Sequence, residues 1–68
     1  MKRFFVIRPN NDNVEVLIIK NKNDNTYSYV NLTKGHICTC RFKTIDEAIF
    51  DMDKLKEQGK IIDYKQIL

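Results

Sequence analysis

Glycine is scarce in this chain, with two residues in 68, and there is one proline, one histidine and no tryptophan. Two glycines, Gly35 and Gly59, cannot supply the glycine-rich loop whose backbone amides cradle a phosphate. A single histidine leaves His36 as the only base on which a nucleophile–base–orienter set could be built, and it falls beside a predicted hairpin turn. The carboxylates offer no substitute. Asp51 with Asp53, and Asp46 with Glu47, sit one or two positions apart on a predicted helix, where neighbouring side chains diverge. Solvated helix residues are the simpler reading, and the chain is expected not to be an enzyme.

Long apolar runs are also missing. Phe4 to Ile7 is four residues, ended by Arg8-Pro9. That is short of the about 7–15 residues of a signal-peptide core and of the ~20 that cross a membrane. The expectation is an unexported, cytoplasmic protein with no membrane role. The sequon Asn31-Leu32-Thr33 is then a coincidence, since glycosylation needs the secretory route.

Cysteine occurs twice, as Cys38 and Cys40. In an extended strand their Cβ atoms would lie roughly 7 Å apart at ~3.3 Å per residue, against the about 3.8 Å of a disulfide. They are expected to stay as thiols. His36, Cys38 and Cys40 would point the same way from a strand. A structural zinc site needs four ligands, however, and no second Cys or His cluster completes it. Small buried thiols are the preferred reading, with no metal and no cofactor expected.

What is present fits one small folded domain over residues 1–68. Hydrophobic residues make up 43% and are grouped rather than scattered. Net charge is +3, unevenly spread: residues 1–43 hold eight Lys/Arg against three Asp/Glu, residues 44–68 four against six. A chain this short has a marginal core, about 3–5 kcal/mol net, and self-association is a common remedy.

The first 43 residues alternate as strands do, with turn clusters between them. Strands are expected at Arg3 to Arg8, Val14 to Lys22, Thr26 to Thr33 and Ile37 to Lys43. Asn10 to Asn13, Asp24-Asn25 and Lys34-Gly35 are the turns, rich in residues that tolerate left-handed backbone. Thr44-Ile45-Asp46-Glu47 has the form of a capping box. Ile45, Ala48, Ile49, Met52 and Leu55 then recur at helical spacing, and Gly59 is the expected stop. Ile61 to Leu68 reads as a short strand or an ordered tail. The fold class is therefore α+β: a four-stranded antiparallel β-meander with one amphipathic helix packed on one face and a short C-terminal strand (ββββαβ).

Two-residue turns would pair Leu32 with Ile37 and Ile19 with Val30, and an Arg8–Glu15 charge pair would set the first hairpin. One face then carries Phe4, Val6, Leu17, Ile19, Val30, Leu32 and Ile37 and suits the helix stripe. The other carries Phe5, Ile7, Val16, Ile18, Tyr27, Tyr29, Cys38, Cys40 and Phe42, with Arg3, Lys20 and Lys22 around them. One helix covers one face, and the uncovered face should turn polar. Here it does not, which points to a surface that something else covers.

The expected function is that of a non-catalytic interaction or regulatory protein that forms a homodimer or docks on a partner protein. Phe5, Ile7, Val16, Ile18 and Tyr29 are the expected interface anchors, since central aromatic and aliphatic groups dominate interfaces. The alternative is a nucleic-acid-binding accessory protein, with Arg3, Lys20 and Lys22 on phosphates and Tyr27 and Tyr29 stacking on bases. Against it stand the small net charge and the absence of any nucleic-acid-binding signature.

Overall fold

The computed structural model describes residues 2–67. Its elements are β1 (Lys2–Ile7), a 3-10 turn (Pro9–Asn11), β2 (Val14–Lys20), β3 (Tyr27–Asn31), β4 (His36–Ile37), α1 (Ile45–Glu57) and β5 (Asp63–Gln66). Every strand pairing is antiparallel, and the order across the sheet is β4-β3-β2-β1-β5. This is the expected α+β arrangement, and the C-terminal segment proves to be a strand on the free edge of β1.

The order explains where the helix lies. β4 and β5 run in the same direction at opposite edges, so the chain between them must cross the sheet. Four strand spacings of ~4.8 Å span about 19 Å. The 13 residues of α1 extend about 20 Å at ~1.5 Å each. The helix begins after Phe42, which pairs with Tyr27 of β3, and over its second half Asp53 accepts a hydrogen bond from Tyr64 of β5. It bridges the meander and the last strand.

Helix ends are fixed as the sequence implies. Thr44 Oγ1 accepts the Glu47 amide at 3.1 Å. Glu47 reaches back one residue further than a capping box requires and accepts the Lys43 amide at 2.6 Å. Asp46 and Glu47 occupy the first turn and Lys54 and Lys56 the last, each complementing the helix dipole. Gly59 takes φ +76°, the left-handed conformation that ends the helix.

Strand register departs from expectation in a way that matters for function. Between β2 and β3 the loop is four residues, closed by the Asn21 amide on the Thr26 carbonyl, with Asn25 at φ 57°. Leu17 therefore faces Val30 and Ile18 faces Tyr29. The β3–β4 turn is likewise four residues, so Val30 rather than Leu32 faces Ile37. Both are shifts of two, which leave the faces unchanged. The first hairpin shifts by three. Asn10 and Asn11 both adopt left-handed backbone, at φ 63° and 58°. They wind residues 8–13 out of the ladder, and Val6 pairs with Val14 and Phe4 with Val16. Because side chains alternate with period two, an odd shift turns β1 over relative to the other strands.

The expected grouping of faces is corrected accordingly. Phe4 and Val6 share their face with Val14, Val16, Ile18, Tyr27 and Tyr29, and this is the face the helix covers. Phe4, Val6, Val14, Ile18, Ala48, Met52 and Ile61 form the core. Tyr29 and Phe42 meet at a tilt of 55° with ring centres 5.2 Å apart beside it, and Phe4 meets Tyr64 edge-on at 5.8 Å.

Two further expectations are overturned between β4 and α1. Of the predicted strand from Ile37 to Lys43 only Ile37 lies in β4, with an isolated Tyr27–Phe42 bridge further on. Cys38 still donates its amide to Tyr29, but three residues then lie opposite Ser28 where a regular ladder allows one. This bulge brings the Cα atoms of Cys38 and Cys40 to 5.3 Å, and the two are joined as a disulfide rather than standing as free thiols. The argument from strand geometry fails because the segment is not a strand.

Candidate interaction surface

The face turned away from the helix is built from the alternate residues of all five strands. Its central row runs Ile67, Arg3, Leu17, Val30, Ile37, each beside the next across the sheet. A second row contains Lys65, Phe5, Glu15 and Leu32. Ile7 and Ile19 extend the face at its two ends. Phe5, Leu32 and Ile67 are exposed, and Ile37 is the most open at 68%. β-branched and long aliphatic side chains favour these strands on either face, so propensity alone gives no polar alternation.

One ion pair lies within this apolar field. Arg3 and Glu15 sit diagonally across β1 and β2, and the guanidinium Nε and a terminal nitrogen both donate to the same carboxylate oxygen. The charge clue at Glu15 was sound in kind, but its partner is Arg3. Arg8 instead binds Asp12 at 2.9 Å. The Arg3–Glu15 pair cancels its own charge and leaves the centre of the face without net charge.

The corner over Ser28 is closed by the bulge. Ser28 is fully buried, donating to the Cys40 carbonyl at 2.6 Å and accepting from Asn21 and Arg41. Asp24 holds Arg41 at 3.5 Å and also accepts the Thr26 amide and hydroxyl. The Thr26 bonds first, with Arg41 adding its charge, lower the carboxyl pKa of Asp24.

Of the residues expected at an interface, Phe5 and Ile7 lie on the uncovered face. Val16, Ile18 and Tyr29 lie beneath the helix, a correction that follows from the inverted first strand. Ile18 is 1% exposed. Tyr29 donates its hydroxyl to the Ala48 carbonyl and lies 3.4 Å from Asp51. Burial first, and the Asp51 charge next, push its phenol pKa well above the ordinary 10. Tyr64, bonded to Asp53 at 2.5 Å, is pushed up to about 12. Leu17, Ile19, Val30 and Ile37, expected under the helix, are the residues that the uncovered face presents. The run Asn10-Asn11 does not give them away, since left-handed asparagines serve simple two-residue hairpins as well.

The nucleic-acid candidates do not come together on one surface. Arg3 lies on the uncovered face, bound to Glu15. Lys20 ends β2 on the helix side and Lys22 lies in the following turn, both exposed. Tyr27 and Tyr29 point into the helix–sheet interface with Phe42. His36 is exposed on β4, and the Cys38–Cys40 bond leaves no thiolate beside it. Among the described residues there is no group of three or more His, Cys, Asp or Glu placed to hold a metal ion, and no helix long and apolar enough to cross a membrane. Comparison with protein-family models, curated proteins and solved structures gives no match, so no residue role comes from a relative.

Proposed function

We propose that this chain is a non-catalytic interaction protein that self-associates by stacking its uncovered sheet face on the same face of a second copy. One observation carries the reading: Leu17, Val30 and Ile37 form a continuous apolar row across three neighbouring strands, on the side of the sheet away from α1, with no helix or strand among the described residues laid over it. The largest apolar patch on a small soluble protein is often its interaction site. A second copy is the favoured occupant because the one strong charge pair of the face is internally neutral. An isologous dimer then brings no net charge together at the centre of the face, while Lys65 lies out on the edge strand β5.

Size sets the expected strength. Five strands at ~4.8 Å and about five residues at ~3.3 Å give a flat footprint on the order of 400 Å². A standard interface buries about 800 Å² on each side, so the dimer is weak and its dissociation constant lies in the micromolar range or above. Sedimentation velocity across a concentration series tests this. Mass should rise from one chain toward two, and Ile37→Glu should raise the dissociation constant at least about tenfold. A single-chain mass up to about 1 mM would remove the proposal, because effective affinity weaker than that is negligible.

The cytoplasmic placement expected from the sequence belongs to the same proposal. The Cys38–Cys40 bond weighs against it, because reducing compartments keep thiols open. Free thiols in freshly extracted protein would uphold it.

A further inference from the structure

The helix does not seal the face it covers. Between the second half of α1 and strands β1 to β3 a cleft of about 320 Å³ remains. Its floor and walls are Val6, Val16, Met52, Leu55 and Ile61, and its polar lining comes from Arg8, Asn31, Lys60 and Tyr29. Val16 pairs with Phe4 in the middle of the sheet, yet it is only part-buried while Phe4 is sealed, because the cleft opens above it.

The polar groups share one property. Asn31 Oδ1 accepts the Lys34 amide at 2.9 Å, which fixes the side-chain orientation and leaves its NH₂ as a donor. Arg8 gives one terminal nitrogen to Asp12 and, like every guanidinium, has other N–H groups to offer. Lys60 provides an ammonium group. Tyr29, the one hydroxyl, is turned to Ala48 and Asp51. Among the described residues lining the cleft the charged groups are both cationic, no carboxylate is present, and the Asn31 NH₂ adds a further donor. Such a set recognises a group that only accepts hydrogen bonds.

Charge narrows the class. Asp12 bridges Arg8 and Lys34, each at 2.9 Å, and the three together carry one positive charge. Lys34 bonding, then the Arg8 charge, keep the Asp12 carboxyl below its ordinary pKa, so it stays ionised. Lys60 adds one more positive charge. Two positive charges in all are enough to hold a carboxylate, which a guanidinium fork can meet with two bonds, and too few for a polyphosphate. Volume narrows it again. The cleft has about twice the ~150 Å³ of a cavity that accepts benzene, and its floor is aliphatic.

We infer that this cleft is a binding site for a small hydrophobic carboxylate of medium chain length, with its head group between Arg8, Asn31 and Lys60 and its tail along Val16, Met52 and Leu55. The site is on the opposite side of the sheet from the stacking face and does not depend on it.

The test is an NMR titration of isotope-labelled protein with octanoate, repeated with octan-1-ol as the uncharged analogue of equal length. Octanoate should give saturable shifts at Val6, Val16, Asn31, Leu55 and Ile61 and bind at least about tenfold more tightly than the alcohol. Lys60→Gln combined with Arg8→Gln should remove that preference, weakening octanoate at least about tenfold more than octan-1-ol. Both side chains reach solvent, so the variant keeps the fold, and its amide spectrum checks this. Equal affinity for acid and alcohol, shifts confined to Phe5, Leu17 and Val30, or no saturable shift by about 5 mM, weaker than the usual range of specific binding, would each overturn the inference.

Discussion

Strand β2 presents two rows of aliphatic residues that differ little in composition and greatly in fate. Val14 and Ile18 lie under α1, 2% and 1% exposed, while Leu17 and Ile19, one position away, look outward and keep part of their surface. Hydrophobicity does not distinguish the rows. What does is the loop before β2, where two left-handed asparagines decide which side of β1 joins which side of β2. Helix burial is then a consequence of turn geometry, and the row left over becomes the surface available to a partner.

The sharpest way to break this contrast is to truncate one residue on each side. Phe4→Ala on the covered side should cost about 3–5 kcal/mol, the usual range for a buried phenylalanine. In a chain whose whole core contributes a similar amount, the variant should be unfolded at 25 °C. Ile37→Ala on the outer side should change stability by no more than about 0.5 kcal/mol. Urea unfolding followed by circular dichroism compares them. Similar midpoints would mean that the two faces are not inside and outside.

The second contrast is with alkali. Tyr29 and Tyr64 both belong to the covered side, and both have folded-state pKa values above the ordinary 10. A raised pKa means that the folded form favours the protonated phenol. Its contribution is complete below pH 10 and is lost as pH climbs through the folded values, about 12 for Tyr64. Stability should therefore fall from about pH 10 upward. Tyr29→Phe should flatten the fall by removing one of the two titrating groups. Ordinary phenolate titration of all three tyrosines in the folded protein would contradict the described packing.

Smaller still is the effect expected at the bulge. Cys38 and Cys40 close a ring of three residues, so the chain-entropy contribution is only about 1–2 kcal/mol. The double variant Cys38→Ser, Cys40→Ser should lower the urea midpoint slightly and leave the core intact. Global unfolding of that variant would show that the ring, not the core, holds the 38–42 segment against β3.

Much of this fold was legible in advance, for identifiable reasons. The helix announced both its ends, through Thr44 with Glu47 and through Gly59, and its inner stripe from Ile45 to Leu55 is the one that packs. Strand alternation located β1, β2 and β3 to within a few residues. Register was not legible, because Asn10-Asn11-Asp12-Asn13 names residues that accept left-handed backbone without saying which ones take it. An odd count there reverses a face and an even count does not. The length of β4 was hidden for a related reason: Ile37 to Lys43 alternates like a strand, and only the three residues set against Ser28 reveal the bulge. The two-sided apolar character of the sheet survived these errors, since turning one strand over exchanges its members without making either side polar. The cleft could not be foreseen at all. Arg8, Asn31 and Lys60 are far apart in sequence, and they meet only because β5 returns the chain beside β1.

The brevity of β4 governs how copies of this protein can add together. A sheet grows without limit when its border strands offer a long ladder of unused amides and carbonyls to the next molecule. Here one border is two residues long and runs at once into a knotted bend, and the other carries Asp63 and Lys65 along its four residues. Neither margin is a good template for an endless ribbon. Under the face-to-face pairing proposed above, contact would fall on the broad flat side, consume the sticky surface of both molecules and stop at two.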